Sequence, residues 1–213
     1  ILGLFILMAL TAILIGAKRF SNKRARNYAG QCGEEAIATL LKRSARFKLC
    51  VLTNLYLPHH DKTTEIDLLL IMRKGIFVIE SKNYSGAVYG DEKQKNWLKI
   101  APSGGRLYFY NPIWQNNTHL KALKKQLPEI DERHFYSYIV FGEKTILKKV
   151  KIRTKKIRVI HLSALKGTIK KEIWWRRKVL SKKEIESIEK RLLPYCSRRF
   201  KKQHVHGIKR IQK

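Results

Sequence analysis

Residues 65–83 read EIDLLLIMRKGIFVIESKN: two apolar runs, Glu65 to Met72 and Gly75 to Ser81, interrupted only by Arg73 and Lys74. Two such runs with a glycine at the interruption predict a β-hairpin. A turn on Arg73 and Lys74 pairs Met72 with Gly75 and Ile71 with Ile76, and further down the ladder it sets Asp67 opposite Glu80. Alternation of side chains then gives Lys82 the face of Glu80, and Glu65 the face of Asp67, across from Lys82. Between these charged ends, Leu68, Leu69, Leu70, Ile71, Phe77, Val78 and Ile79 are apolar on both faces, the pattern of a buried central hairpin. Its charged end is expected to line a cleft.

Two carboxylates directly across a strand pair repel unless a cation lies between them or one takes a proton. Hard oxygen ligands favour Mg²⁺ or Mn²⁺, ions that also hold substrate phosphate oxygens. Lys82 beside such an ion would orient water or neutralise developing charge, which is phosphodiester hydrolysis in outline. The competing reading is a solvated strand face with a Glu65–Lys82 ion pair and no function.

Outward from the hairpin, residues 30–44 (GQCGEEAIATLLKRS) form an amphipathic pattern with Ile37, Leu40 and Leu41 on one side. Phe47 to Leu57 reads as a strand closed by Pro58, and HHDKTT as a polar loop. GAVYGD, WLKI and RLYFY read as short strands around a flexible PSGG. Asn111 and Pro112 open a helix that runs to Leu127. FYSYIVFG and IRVIHL are further strands, and SKKEIESIEKRLL begins with a capping box, Ser181 with Glu184, and ends at Pro194. This order predicts a mixed α/β layered domain.

The 46 Lys and Arg residues against 16 Asp and Glu give a net charge of +30, which predicts a polyanionic partner, nucleic acid or an anionic membrane. Binding without chemistry is the competing reading of that charge. KKVKIRTKKIR (148–158) and the tail from Cys196 would track a nucleic-acid backbone. Trp174 and Trp175 would stack on bases or lie at a membrane interface, with at least one expected in the core. Cys32, Cys50 and Cys196 form neither a disulfide framework nor, with His204 and His206, a zinc pattern.

Ile1 to Ala17 carries no charge and as a helix would be about 25 Å long, close to a bilayer's hydrocarbon thickness. Lys18, Arg19, Lys23, Arg24 and Arg26 follow, so the positive-inside rule predicts a single-pass membrane anchor with the folded domain facing the cytoplasm. The chain thus divides into an anchor (1–17), a basic linker (18–29), a domain core (30–142), its basic extension (143–195) and a tail (196–213).

GQCGEEAIATLL, TEIDLLLI, GIFVIESKNYSGAVYG, Trp97 and NPIWQNNTHLKAL, in this order from Asn27 to Gly142, resemble the nuclease-related domain (NERD) family, a branch of the PD-(D/E)xK nuclease superfamily. The resemblance implies a restriction-endonuclease-like three-layer core, a central mixed sheet flanked by helices. It implies Asp67, Glu80 and Lys82 as the catalytic core, with Glu34 as a further ligand of Mg²⁺ or Mn²⁺ and DNA or RNA as substrate. Glu34, after Gly33, matches the family position better than Glu35 and shares a helical face with Ile37 and Leu41. Ile66 stands where the superfamily name has Pro, a departure usual for this branch. Gln115 and His119, four apart and on one helix face, join Glu65 as accessory candidates, against the reading of an exposed polar face. His59, His60 and His161 are read as a loop pair and a core imidazole. The expected function is a membrane-anchored, metal-dependent nuclease. The alternatives are a non-catalytic nucleic-acid-binding module and a membrane-associated scaffold on the same fold.

Overall fold

The computed structural model describes residues 33–41 and 50–196. The expected anchor, the basic linker, Cys32 and the tail beyond Cys196 lie outside the described residues, and within them no helix is long and apolar enough to cross a membrane. A first helix, α1 (33–41), precedes β1 (Cys50–His59), β2 (Lys62–Met72), β3 (Gly75–Lys82), β4 (Gly86–Asp91), β5 (Asn96–Ile100) and β6 (Arg106–Tyr110). Then come α2 (Pro112–Gln126), β7 (Phe135–Phe141), β8 (Thr145–Lys151), β9 (Ile157–His161), α3 (Leu162–Trp175) and α4 (Lys182–Leu192).

The expected hairpin is β2–β3, with Leu68 paired to Ile79 and Met72 to Gly75, the register that a turn on Arg73 and Lys74 dictates. Gly75 has φ +134°, and a Cβ there would stand 2.6 Å from the His134 carbonyl oxygen, so no other residue fits. This hairpin is the centre of a five-stranded sheet in the order β1-β2-β3-β7-β9, antiparallel through β3 and parallel from β3 to β9. Leu69, Ile71 and Val78 pack under α2 and α4 (Leu123, Leu127, Ile185, Ile188). Leu68, Leu70, Phe77 and Ile79 pack under α1 and α3 (Ile37, Leu41, Leu165, Ile169).

Asn111 caps α2 through the Ile113 N–H, and Ser181 with Glu184 forms the capping box of α4, as their sequences predict. Three readings change and one gains detail. HHDKTT is a tight turn rather than a loop: β1 and β2 pair down to His59 with Lys62, leaving His60, at φ +51°, in the turn. Pro58 does not close β1, because an edge strand tolerates a residue without an N–H. The basic stretch 148–158 folds as the end of β8, a turn and the start of β9. LSALKGTIKKEIWW is helix α3, whose Gly167 and scattered lysines hide the Leu165 and Ile169 stripe, and neither Trp174 nor Trp175 is in the core.

The parallel pair β3–β7 leaves the first sheet and re-forms as β4–β8 in a second, four-stranded sheet, β6-β5-β4-β8. Gly142 N–H donates to the Lys82 carbonyl (3.0 Å) and Gly86 N–H to the Lys144 carbonyl (3.0 Å), stitching the passage. Lys82 is thus the last residue of β3, at the carboxyl end of a parallel strand where crevices open. In the second sheet Trp97 is fully buried and stacks near Phe141. A Cβ on Gly90 would lie 2.2 Å from the Trp97 indole, so Gly90→Ala is expected to cost about 1–3 kcal/mol in a urea unfolding titration.

Candidate functional site

Beyond Leu68 and Ile79 the β2–β3 ladder gives out, and the Ser81 N–H donates to the Asp67 carboxylate (2.8 Å) instead of a backbone carbonyl. On the other side of β2, Thr53 pairs with Leu68 and Leu55 with Ile66, while Asn54, at φ +54°, and Asp67 between them do not pair. Asparagine tolerates this left-handed conformation better than most residues. The irregularity flips the faces: Cys50, Leu52, Leu55 and Leu57 share one core, as do Ile66, Leu69 and Ile71, although a regular strand would divide each set. Asp67 therefore sits where β2 changes face, and Thr64 is carried to the α2 side.

On that side stands Glu80, only 1% exposed. Lys82 Nζ donates to Glu80 Oε1 (2.5 Å) and to Gln115 Oε1 (3.1 Å). His119 Nε2 contacts Glu80 Oε2 (3.1 Å) and its Nδ1 contacts Thr64 Oγ1 (2.7 Å). Asn116, between Gln115 and His119, locks α2 to the sheet by donating to the Val78 carbonyl and to Ser137 Oγ (both 2.9 Å). Gly33 brings α1 against the same end, since a Cβ there would come within 3.2 Å of Ser81 Oγ and 3.3 Å of Asn83 Cβ.

Comparison with known proteins fits this arrangement. The profile of the nuclease-related domain matches residues 29–142, more than half of the chain. The chain belongs to the nuclease-related domain family. Its general context is the PD-(D/E)xK superfamily. An uncharacterized protein of Bacillus anthracis is 32% identical over 168 residues, which cover 76% of this chain and 76% of that protein. No solved structure matches.

In this NERD domain the charges are unequally satisfied. Burial alone would raise the Glu80 pKa, but Lys82 and His119 outweigh it and hold Glu80 below the usual carboxylate range. An ionised Glu80 only accepts, so His119 Nε2–H donates to it, while Nδ1 is in hydrogen-bond contact with the Thr64 hydroxyl. Lys82 is likewise pushed up, because Glu80 overcomes the cost of burial. Asp67 goes the other way: burial, then the charges of Glu80 and Glu34, raise it well above its ordinary value against the pull of the Ser81 N–H and Lys82. A proton or a cation is what this corner lacks.

Asp67, Glu80, Lys82, Gln115 and His119 converge, and Glu34 lies within electrostatic reach of Asp67 and Tyr56. Glu65 does not meet Lys82. It accepts from the Tyr56 hydroxyl (2.5 Å), its partner across β1–β2, because the face change turns it away from the end of β3. Thr64, Asn116 and Tyr56 escape sequence reading, although Asn116 stands three residues before His119, a spacing that shares a helix face. Cys50 is buried, which pushes its thiol up to about 12 and leaves it inert. His161 Nδ1 is buried without a hydrogen-bond partner.

For a divalent ion, the donor chemistry fits: hard carboxylate oxygens carry a charge that the surrounding cations leave unbalanced at Asp67. Among the described residues, though, no three His, Cys, Asp or Glu side chains are assembled at ligating distances, and Lys82 and His119 occupy both Glu80 oxygens.

Proposed function

We propose that this domain is a metal-dependent nuclease on a restriction-endonuclease-like core, hydrolysing phosphodiester bonds of DNA or RNA. The observation that carries the reading is the contrast at one strand end, where Asp67 is driven toward its protonated form beside an ionised Glu80 clasped by Lys82. Asp67, Glu80 and Glu34 would hold Mg²⁺ or Mn²⁺, which would supply charge neutralisation at the phosphate and a more acidic water. Lys82 would turn from Glu80 toward the scissile phosphate and stabilise its developing charge, with Gln115 holding the ammonium in place. His119, fixed by Thr64, would keep Glu80 oriented when Lys82 leaves it. The exposed Tyr108 and Tyr110 on β6 and the surplus of lysine and arginine favour a nucleic-acid partner.

Incubation with single- and double-stranded DNA and RNA tests this. Cleavage is expected with Mn²⁺ or Mg²⁺ and not with chelator, and Lys82→Ala is expected to slow it by about 10²-fold or more. Cleavage that ignores chelator or survives Lys82→Ala intact would refute the site. The closed Glu80–Lys82 and Glu80–His119 pairs support a second reading, a module that binds nucleic acid without cutting it. Salt-sensitive binding with no turnover under any metal would select it. For residues 1–17 the proposal is a single membrane span with the domain on the cytoplasmic side, and fractionation with and without that segment tests it.

A further inference from the structure

Trp174 and Trp175, at the end of α3, are 80% and 86% exposed. An indole is seldom left wholly in water, and two at one helix end leave a large apolar area exposed there. Their surroundings are cationic. Lys171 lies one helical turn before both, and Arg177 and Lys178 follow them, all exposed. The segment after α3 is tied to the β2–β3 turn: the Val179 and Leu180 N–H groups donate to the Arg73 carbonyl (2.7 and 3.1 Å), and Lys74 Nζ donates to the Arg176 carbonyl. This brings the exposed Arg73 to the same corner.

The single carboxylate between Leu162 and Lys178 is Glu172. It is buried, accepting from the Tyr138 hydroxyl (2.7 Å) and paired with Arg176, whose guanidinium lies over the Tyr136 ring. Between Leu162 and Lys178 the exposed charges are therefore all cationic.

Its position in the fold separates it from the nuclease site. Arg73 and Lys74 are at the turn of the hairpin, whereas Asp67 and Glu80 are at its open end, so the patch and the site lie at opposite ends of the same strands. A base stacked on Trp174 would not lead a strand into the cleft.

We infer that Trp174, Trp175 and the cations of Arg73, Lys171, Arg177 and Lys178 form a docking surface for an anionic phospholipid bilayer, with the indoles at the headgroup level and the nuclease site directed away from the membrane. Indoles prefer that interface, and each Lys or Arg near an anionic surface adds to the attraction. The corner thus has both an apolar and an electrostatic attachment, the two signals that stable peripheral binding requires. The tie between residues 176–180 and the hairpin turn makes the surface part of the rigid core, so docking orients the whole domain.

The test uses the full chain and reads the depth of the indoles, so it does not depend on whether residues 1–17 also hold the chain on the vesicle. Tryptophan emission is measured with vesicles of brominated phosphatidylcholine containing phosphatidylserine, and with brominated phosphatidylcholine alone. Trp97, sealed in the core, and the half-buried Trp114, on α2, remain as the reference emission. Strong quenching is expected only with the anionic vesicles. It should fall several-fold in Trp174→Ala/Trp175→Ala, in Arg177→Glu/Lys178→Glu, and at high salt. Since the substituted side chains are exposed, the variants should melt with the wild type and keep any nuclease activity. Equal quenching in wild type and the tryptophan double variant would overturn the inference. So would emission that responds to an oligothymidylate and not to the vesicles, which would reassign the indoles to base stacking.

Discussion

Asp67→Asn is expected to abolish metal-dependent cleavage and, in the absence of metal, to make the protein more stable at pH 8 than the wild type. The folded carboxyl has a raised pKa, chiefly through burial and then through Glu80 and Glu34. At a pH between the ordinary carboxylate value of ~4 and the raised folded value, the unfolded chain has lost this proton and the folded chain keeps it. Stability from this group is therefore complete below pH ~4 and is lost as pH rises toward the folded pKa. Asparagine still accepts the Ser81 N–H without the charge. A gain in stability follows, read as a higher melting temperature. The gain should shrink toward zero as melts are repeated down to pH 4. Mg²⁺ or Mn²⁺ should raise the wild-type melting temperature and release a proton, with no effect on Asp67→Asn. A variant that melts lower than wild type at pH 8 without metal would show that Asp67 is not under charge stress.

The opposite is expected one strand over. Glu80→Ala removes the counter-charge of Lys82 from a position only 1% exposed and leaves His119 without its acceptor. Deleting one member of a buried ion pair costs about 3–5 kcal/mol, far more than the net worth of the pair. Chemical denaturation should show that loss at neutral pH. The double variant Glu80→Ala/Lys82→Met should recover part of it, because it no longer buries an unpaired ammonium. If the double variant is as unstable as the sum of the singles, Glu80 and Lys82 are not energetically coupled and the pairing is incidental. Two carboxylates at one strand end thus respond with opposite sign, since Lys82 and His119 attend Glu80 and leave Asp67 short of positive charge.

Much of this was readable in residues 65–83. A two-residue turn sets a register, and the register brings Asp67 and Glu80 to the same end without reference to the rest of the chain. Gln115 and His119 were readable as a helix-face pair because α-helix periodicity is local, and Asn111–Pro112 marks where that helix starts. The expected Glu65–Lys82 pair failed because the register was extended past Leu68, through a position where Asn54 breaks the neighbouring strand. No property of Glu65 or Lys82 signals that break.

By itself, then, the sequence determined the central hairpin, its register as far as Leu68 and Ile79, the caps of α2 and α4, and the basic character of the chain. These depend on contacts a few residues apart, where period, turn and capping chemistry act directly. Tertiary structure alone decided that β2 changes face at Asp67, that Thr64 reaches His119 and Glu65 reaches Tyr56, and that β3–β7 continues as β4–β8. It also decided that Trp174 and Trp175 stand in solvent and that the segment after them is tied to Arg73. Each of these joins segments tens of residues apart, or follows from the packing around one residue in an uncommon conformation. Such pairings depend on which surfaces remain to be covered once the local elements exist, and this leaves no periodic trace along the chain.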